Sequence, residues 1–170
     1  MWIFAHHDKT ALVTGASSGI GRAFAHALAA RGAHLILLAR SEETLQALAA
    51  DLMSRPGIRA EVIVADLSTP DGARRAFEEV ERRGLTVDLL INNAGFASYG
   101  RFEDIAPERD QAQVMVNVAA VVELAHTCLP GMLARGNGAV INVASIVGYW
   151  PGPYESVYAA SKAFVLSFSG

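Results

Sequence analysis

The sequence predicts an α/β chain built on a doubly wound parallel sheet, incomplete at its C-terminal edge. Three observations predict this. Short apolar runs alternate with helix-period patterns from end to end, the order of successive strand-helix units. The runs are near-continuously apolar, as expected of strands covered by helices on both faces. A glycine-rich turn follows the first run and opens the first helix, the position of a dinucleotide-binding turn.

The first run covers residues 11–14. The helix after it places Ile20, Phe24, Ala27 and Leu28 on one face and has Gly32 at its end. The second run is 34–39. Its helix opens at Ser41, an N-cap type, with Glu42 and Glu43 in the first turn and Leu45, Leu48 and Leu52 as its buried stripe. The third run is 60–65, and Thr69 and Pro70 read as N-cap and N1 of a helix that stops near Gly84. The fourth run, 87–91, leads into Asn92-Asn93-Ala94-Gly95. A long helix is expected over 108–135, with Val114, Val118, Val121, Ala125 and Leu129 facing inward, broken by Gly136-Asn137-Gly138. The fifth run is 139–143, followed by a loop rich in Gly, Pro and aromatics and a helix starting near Ser156. With no repeat, low-complexity tract or linker, residues 1–170 read as one domain.

A chain of 170 residues, 52% hydrophobic and 18% charged, can bury a core and argues against disorder. A net charge of −3 gives no sign of a nucleic-acid partner. The single cysteine, Cys128, excludes an intramolecular disulfide and a cysteine-based zinc site, and its apolar surroundings predict a packing role. His6, His7 and Asp8 read as a solvated terminus rather than a metal site. His26 and His126 read as packing or surface residues of helices. No run approaches the roughly 18 apolar residues of a membrane span. Residues 1–5 are apolar but lack a basic region and cleavage site, so no secretory signal is expected and a cytoplasmic location is.

The turn Thr14-Gly15-Ala16-Ser17-Ser18-Gly19-Ile20-Gly21 carries the first chemistry. Gly15 permits a tight turn, Gly19 lets the backbone approach a pyrophosphate, and Gly21 lets the helix pack close to the sheet. The helix N-terminus offers free N–H groups to phosphates. This is a Rossmann-like arrangement, and no Gly-Lys-Ser/Thr follows to suggest a triphosphate loop. The acid that usually meets the ribose 2′-hydroxyl of NAD is missing; the second run ends Leu38-Ala39-Arg40-Ser41. A guanidinium pairs well with a 2′-phosphate, so NADP(H) is the expected cofactor, an ordinary surface arginine being the alternative.

Tyr158 and Lys162 are spaced i, i+4 on the last helix and share a face. A free tyrosine titrates near ~10 and is a poor acid-base group at neutral pH; a neighbouring ammonium favours its phenolate. The pair could protonate a carbonyl oxygen or deprotonate an alcohol.

Taken together these segments resemble the short-chain dehydrogenase/reductase family over almost the whole chain. The 14–21 turn is similar to that family's Thr-Gly-x-x-x-Gly-x-Gly motif, and Asn92-Asn93-Ala94-Gly95 to its Asn-Asn-Ala-Gly motif. Ser145 precedes Tyr158 by thirteen residues, the family's spacing, and Tyr158-Ala159-Ala160-Ser161-Lys162 closes the set. The resemblance implies a cofactor site of Gly15, Ser17, Ser18, Gly19, Ile20, Gly21, Arg40, Asp66, Leu67, Asn93, Ala94 and Gly95, with Tyr158 and Lys162 at its nicotinamide end. Asp66 would meet the adenine ring. It implies a catalytic set of Asn117, Ser145, Tyr158 and Lys162. Tyr158 would be general acid in reduction and base in oxidation. Lys162 would favour its phenolate and bind the nicotinamide ribose. Ser145 would hydrogen-bond the substrate oxygen, and Asn117 would kink its helix and link Lys162 to solvent through a water. No metal is implied.

The implied activity is hydride transfer between NADP(H) and a small-molecule carbonyl or alcohol. Tyr149, Trp150, Pro151 and Tyr154 either line an apolar substrate site or only pack their loop. The family also implies a homo-oligomer through the helices carrying Asn117 and Tyr158. Its members continue past the Tyr-Lys helix with a further strand, a closing loop and a last strand, whereas Gly170 lies eight residues after Lys162. An exposed edge at 139–143 and incomplete burial of Phe164, Val165, Leu166 and Phe168 are therefore expected. A truncated, non-catalytic nucleotide-binding or interaction protein remains an alternative, as does epimerisation or dehydration through transient hydride transfer.

Overall fold

A computed structural model describes residues 6–170; the apolar start, 1–5, lies outside the described residues. Five strands form one sheet in the order β3-β2-β1-β4-β5. They are β1 Thr10–Thr14, β2 His34–Ala39, β3 Ala60–Val64, β4 Leu89–Asn92 and β5 Ala139–Asn142. Every pairing is parallel, with Val13 opposite both Leu37 and Ile91, and Asn92 opposite Asn142. The doubly wound α/β architecture predicted from the apolar runs is therefore the one found.

Alternation along the strands divides the core. Ala11, Val13, Leu35, Leu37, Leu89 and Ile91 pack with α1 (Gly19–Ala29) and α2 (Glu42–Met53) on one face. Leu12, Ile36, Leu38 and Leu90 pack with α3 (Gly72–Arg82) and α5 (Ala120–Ala134) on the other. A strand apolar on both sides leaves no solvent face, so helices must cover both. Cys128 lies inside the second cluster, and burial pushes its thiol up to about 12, as fits an unreactive packing residue.

Several expectations are corrected. Ile20 is 60% exposed, because the first turn of α1 projects past the strand ends; Gly21, Ala25, Leu28 and Ala29 form the buried stripe, and Ala27 faces out. Helix α3 starts at Gly72 with Asp71 as N-cap, not at Pro70, since residues 67–71 are taken up by turns. The helix over 108–135 is not uniform. Helix α4 (Pro107–Val114) leads into a π-helical turn (Met115–Ala119), where the Ala120 N–H bonds the Met115 carbonyl, and then into α5. A π turn inserts an extra residue and rotates the faces. Gln113 and Asn117 consequently point inward in place of Val114 and Val118, and Cys128 and Met132 in place of Leu129. Finally, Val165 in α6 (Ser156–Phe168) is buried, whereas Phe164 and Phe168 stack on each other at the surface, 5.7 Å apart.

The run from Pro107 to Ala134 is long and apolar enough to cross a membrane by length and composition, contrary to the sequence expectation. Here it serves as a core helix, with Val121, Leu124, Ala125 and Met132 buried. Strand β5 lies at the sheet edge, and its Ile141 is 40% exposed beside a fully buried Ile91.

Candidate active site

In a doubly wound sheet the crevice opens at the strand C-termini where the winding reverses, here between β1 and β4. A cleft of about 810 Å³ lies there. It is lined by Gly15, Ser17, Ser18, Gly19 and Ile20 after β1, Arg40 after β2, Asp66 and Leu67 after β3, Asn93, Ala94 and Gly95 after β4, Ser145 after β5, and Tyr158 and Lys162 on α6. Two sequence-predicted residues stand behind its wall. Gly21 permits the close approach of α1, since a Cβ there would overlap the Gly15 carbonyl oxygen. Asn117 is buried in the π turn.

The glycine turn fits a dinucleotide on its own geometry. Gly15 and Gly19 have φ of +64° and +51°, a region that favours glycine. Space above Gly19 is open, with no atom within 4 Å of a Cβ built there. Thr14, absent from the residues expected at the site, fixes this turn to the next one. Its hydroxyl oxygen accepts the Asn93 and Ala94 N–H groups, both at 2.9 Å, and the Asn93 side-chain amide donates to the Thr14 carbonyl at 2.9 Å. Asn92 braces the other side, its amide donating to Asn142 Oδ1 at 2.9 Å across β4 and β5. The signal for both was a polar residue at the end of an apolar strand.

At the Arg40 end of the cleft, Asp66 accepts hydrogen bonds from the Ser68 hydroxyl at 2.7 Å and the Ser68 N–H at 2.9 Å. Those bonds, aided by the Arg40 charge, hold its carboxyl below the usual carboxylate range. Arg40 is exposed at the cleft margin.

At the other end, Lys162 is 5% exposed, and its ammonium donates to the Val143 carbonyl at 2.7 Å. Burial lowers its affinity for the proton. The same ammonium lies 5.9 Å from the Tyr158 ring centre. Asn117 Nδ2 donates to the Phe96 carbonyl and to Ser161 Oγ, both at 3.0 Å, and its Oδ1 accepts the Phe96 N–H at 3.2 Å. A Cβ built on Gly95 would lie 3.0 Å from Asn117 Oδ1 and 3.6 Å from Lys162 Nζ, so the bare glycine leaves a space facing both groups. Tyr149, Trp150 and Tyr154 are exposed in the loop between Ser145 and Tyr158, Trp150 at 80%. Tyr154 packs on Tyr99 with ring centres 5.8 Å apart. Among the described residues no cluster of three or more His, Cys, Asp or Glu could hold a metal ion.

Known proteins resemble the chain over nearly its whole length. A short chain dehydrogenase of Pseudocercospora fijiensis is 40% identical over 162 residues, covering 94% of this chain and 52% of its own length. The L-sorbose reductase of Gluconobacter frateurii, solved with NADPH and L-sorbose, superimposes with a TM-score of 0.89 at 39% identity over 96% of this chain and 62% of its own. The bulky-bulky ketone specific alcohol dehydrogenase of Comamonas testosteroni does so with a TM-score of 0.88 at 35% identity, covering 95% and 64%. The chain thus spans about half the length of the curated relatives it matches. The family profile described as short chain dehydrogenase matches residues 9–170, and the chain belongs to that family.

Proposed function

We propose that this chain is the cofactor-binding and catalytic part of an NADP(H)-dependent oxidoreductase that interconverts a carbonyl compound and its alcohol. The observation that carries the reading is the convergence of the glycine turn, Arg40, Ser145, Tyr158 and Lys162 on one cleft. Residues 1–170 act as one nucleotide-binding domain. The N–H groups after Gly15 and at the start of α1, among Ser17, Ser18, Gly19 and Ile20, receive the pyrophosphate. Arg40 pairs with the 2′-phosphate, Asp66 and Leu67 border the adenine, and Asn93, Ala94 and Gly95 flank the nicotinamide half. The nicotinamide supplies or accepts the hydride.

The remaining chemistry belongs to the chain. Ser145 hydrogen-bonds the substrate oxygen. The Tyr158 hydroxyl donates its proton to that oxygen in reduction and takes one back in oxidation. Lys162, fixed by Val143, stabilises the phenolate by charge and binds the nicotinamide ribose. Asn117 completes the proton path: the space beside Gly95 suits a water between its Oδ1 and the Lys162 ammonium. The exposed aromatics of the 149–154 loop favour an apolar carbonyl substrate; a neighbour that acts on bulky ketones shares this part of the fold. We place the protein in the cytoplasm, without membrane or nucleic-acid partners. An apolar hollow of about 450 Å³ between the helices carrying Asn117 and Tyr158, lined by Phe102, Val114, Val118, Val157 and Ala160, supports self-association through those helices.

The test is fluorescence titration with NADPH and NADH, followed by ketone-dependent oxidation of NADPH. Tight NADPH binding with turnover of an apolar ketone is expected. Binding without turnover on any ketone, by the intact protein, would favour the non-catalytic alternative.

A further inference from the structure

The chain that leaves the Asn-Asn-Ala-Gly turn is held, residue by residue, by α4 and the π turn that follows it. Phe96 is bonded at both its N–H and its carbonyl by Asn117, at 3.2 and 3.0 Å. Ala97 receives the Arg109 guanidinium on its carbonyl at 3.3 Å. Ser98 donates its N–H to Gln113 Oε1 at 2.9 Å, and its hydroxyl faces both Gln113 Oε1 at 2.5 Å and Asp110 Oδ1 at 2.6 Å. Asn117 and Gln113 are spaced four residues apart, and together they bond alternate residues of the segment, Phe96 and Ser98, as a neighbouring strand would. Beyond it, the Gly100 N–H donates to the Tyr154 carbonyl at 3.0 Å and Tyr99 packs on the Tyr154 ring. The segment therefore runs from the cleft wall, which Phe96 lines, to the aromatic loop between Ser145 and Tyr158.

Gln113 is an unexpected residue for this place. Its side chain is fully buried, yet its amide nitrogen has no hydrogen-bond partner among the described residues. A buried unpaired donor is destabilising, and an apolar residue of the same shape would avoid that cost. What the glutamine contributes is its oxygen, the acceptor for the Ser98 N–H among the described residues.

We infer that Gln113 is a positioning residue that, through Ser98, sets the substrate-side wall of the cleft. The inference rests on the oxidoreductase reading above. Lys162 is tied to Val143 and the glycine turn to Thr14, so neither hangs from this segment, and Asn117, which does touch it at Phe96, is held independently of Gln113 by Ser161. Loss of the Gln113 oxygen should loosen the wall and leave chemistry and cofactor binding in place.

The experiment compares Gln113→Met with the unmutated intact protein, in two arms. Hydrogen exchange should rise in peptides covering 96–100 and stay unchanged in those covering β1 and α1. KM for a bulky aryl ketone should rise about tenfold, the effect of one lost buried hydrogen bond, with kcat within about threefold. NADPH affinity should not change. Gln113→Asn keeps the amide but shortens its reach, and should act in the same direction by about threefold if the methionine variant does not fold. Unchanged exchange at 96–100 would overturn the inference. So would local loosening with an unchanged KM, or a parallel fall in kcat and NADPH affinity, which would mark a merely structural residue. The exchange arm needs no activity, so failure of the clamp and failure of the oxidoreductase reading are read separately.

Discussion

Gly148 decides how closely α6 can approach the end of β5, and Gly148→Ala tests whether that approach sets the active site. A Cβ at Gly148 would lie 2.8 Å from the Lys162 carbonyl carbon, 2.9 Å from the Ala163 nitrogen and 2.7 Å from Leu166 Cδ1. Leucine can rotate away; the other two atoms are backbone of the helix that carries Tyr158 and Lys162. Carbon contacts are comfortable near ~3.5 Å, so α6 must retreat by roughly 0.7 Å. Overpacking of this kind costs about 1–3 kcal/mol, which for a chain of this size lowers Tm by roughly 2–10 °C. A displacement of order 1 Å in positioned groups costs about 100-fold in rate. The expected result is kcat reduced by about 10- to 100-fold, with NADPH affinity changed less than about threefold. Steady-state kinetics, NADPH titration and thermal melting measure all three. A variant with wild-type kcat and Tm would show that α6 is not set by this contact.

Further outcomes bear on the ends of the cleft and on the sheet. Arg40→Asp should weaken NADPH binding by about 10- to 100-fold, the worth of a hydrogen-bonded charge pair, and leave NADH binding nearly unchanged; equal losses by titration would remove Arg40 from the 2′-phosphate site. Lys162→Met removes a buried ammonium, so Tm should not fall while turnover drops by about 100-fold or more; a large loss of Tm would mean the lysine is held for stability. His34 is kept below its ordinary pKa of 6.5 first by burial and then by Arg59, and its Nδ1 accepts the Arg59 N–H at 3.2 Å. The neutral form is the folded one, so its contribution to stability is present above 6.5 and is lost as pH falls below it. Urea melts from pH 7.5 to 5 should show that slope, and His34→Asn should flatten it.

Much of the architecture could be read from the sequence because parallel strands covered on both faces leave near-continuous apolar runs, and because glycines punctuate the turns. Most of the residues around the cleft were readable for the same reason, since they follow strand ends, whereas Tyr158 and Lys162 on α6 were readable from their i, i+4 spacing and the family resemblance. What periodicity missed came from one irregularity. A π turn has no compositional mark, so Val114 and Val118 took the inward places that Gln113 and Asn117 hold. Asn117 itself was found through its family position, but its bonds to Phe96 and Ser161 were not, since they depend on the rotated face. Ile20 was misplaced because its apolar character serves the cleft margin and not the core. Gln113 and Thr14 were overlooked since their partners are main-chain atoms brought together from distant strands and helices.

Single-turnover reduction of an apolar ketone by NADPH, comparing the unmutated protein with Tyr158→Phe, weighs the whole account. Phenylalanine keeps the ring and its packing, removes the transferable proton and leaves the glycine turn and Arg40 intact. NADPH affinity should be unchanged and the rate of NADPH oxidation should fall by about 100- to 10,000-fold, the range for loss of a positioned acid-base group. A Tyr158→Phe protein that oxidises NADPH at the unmutated rate would contradict the account, because the proton would then come from a group outside the constellation assigned here.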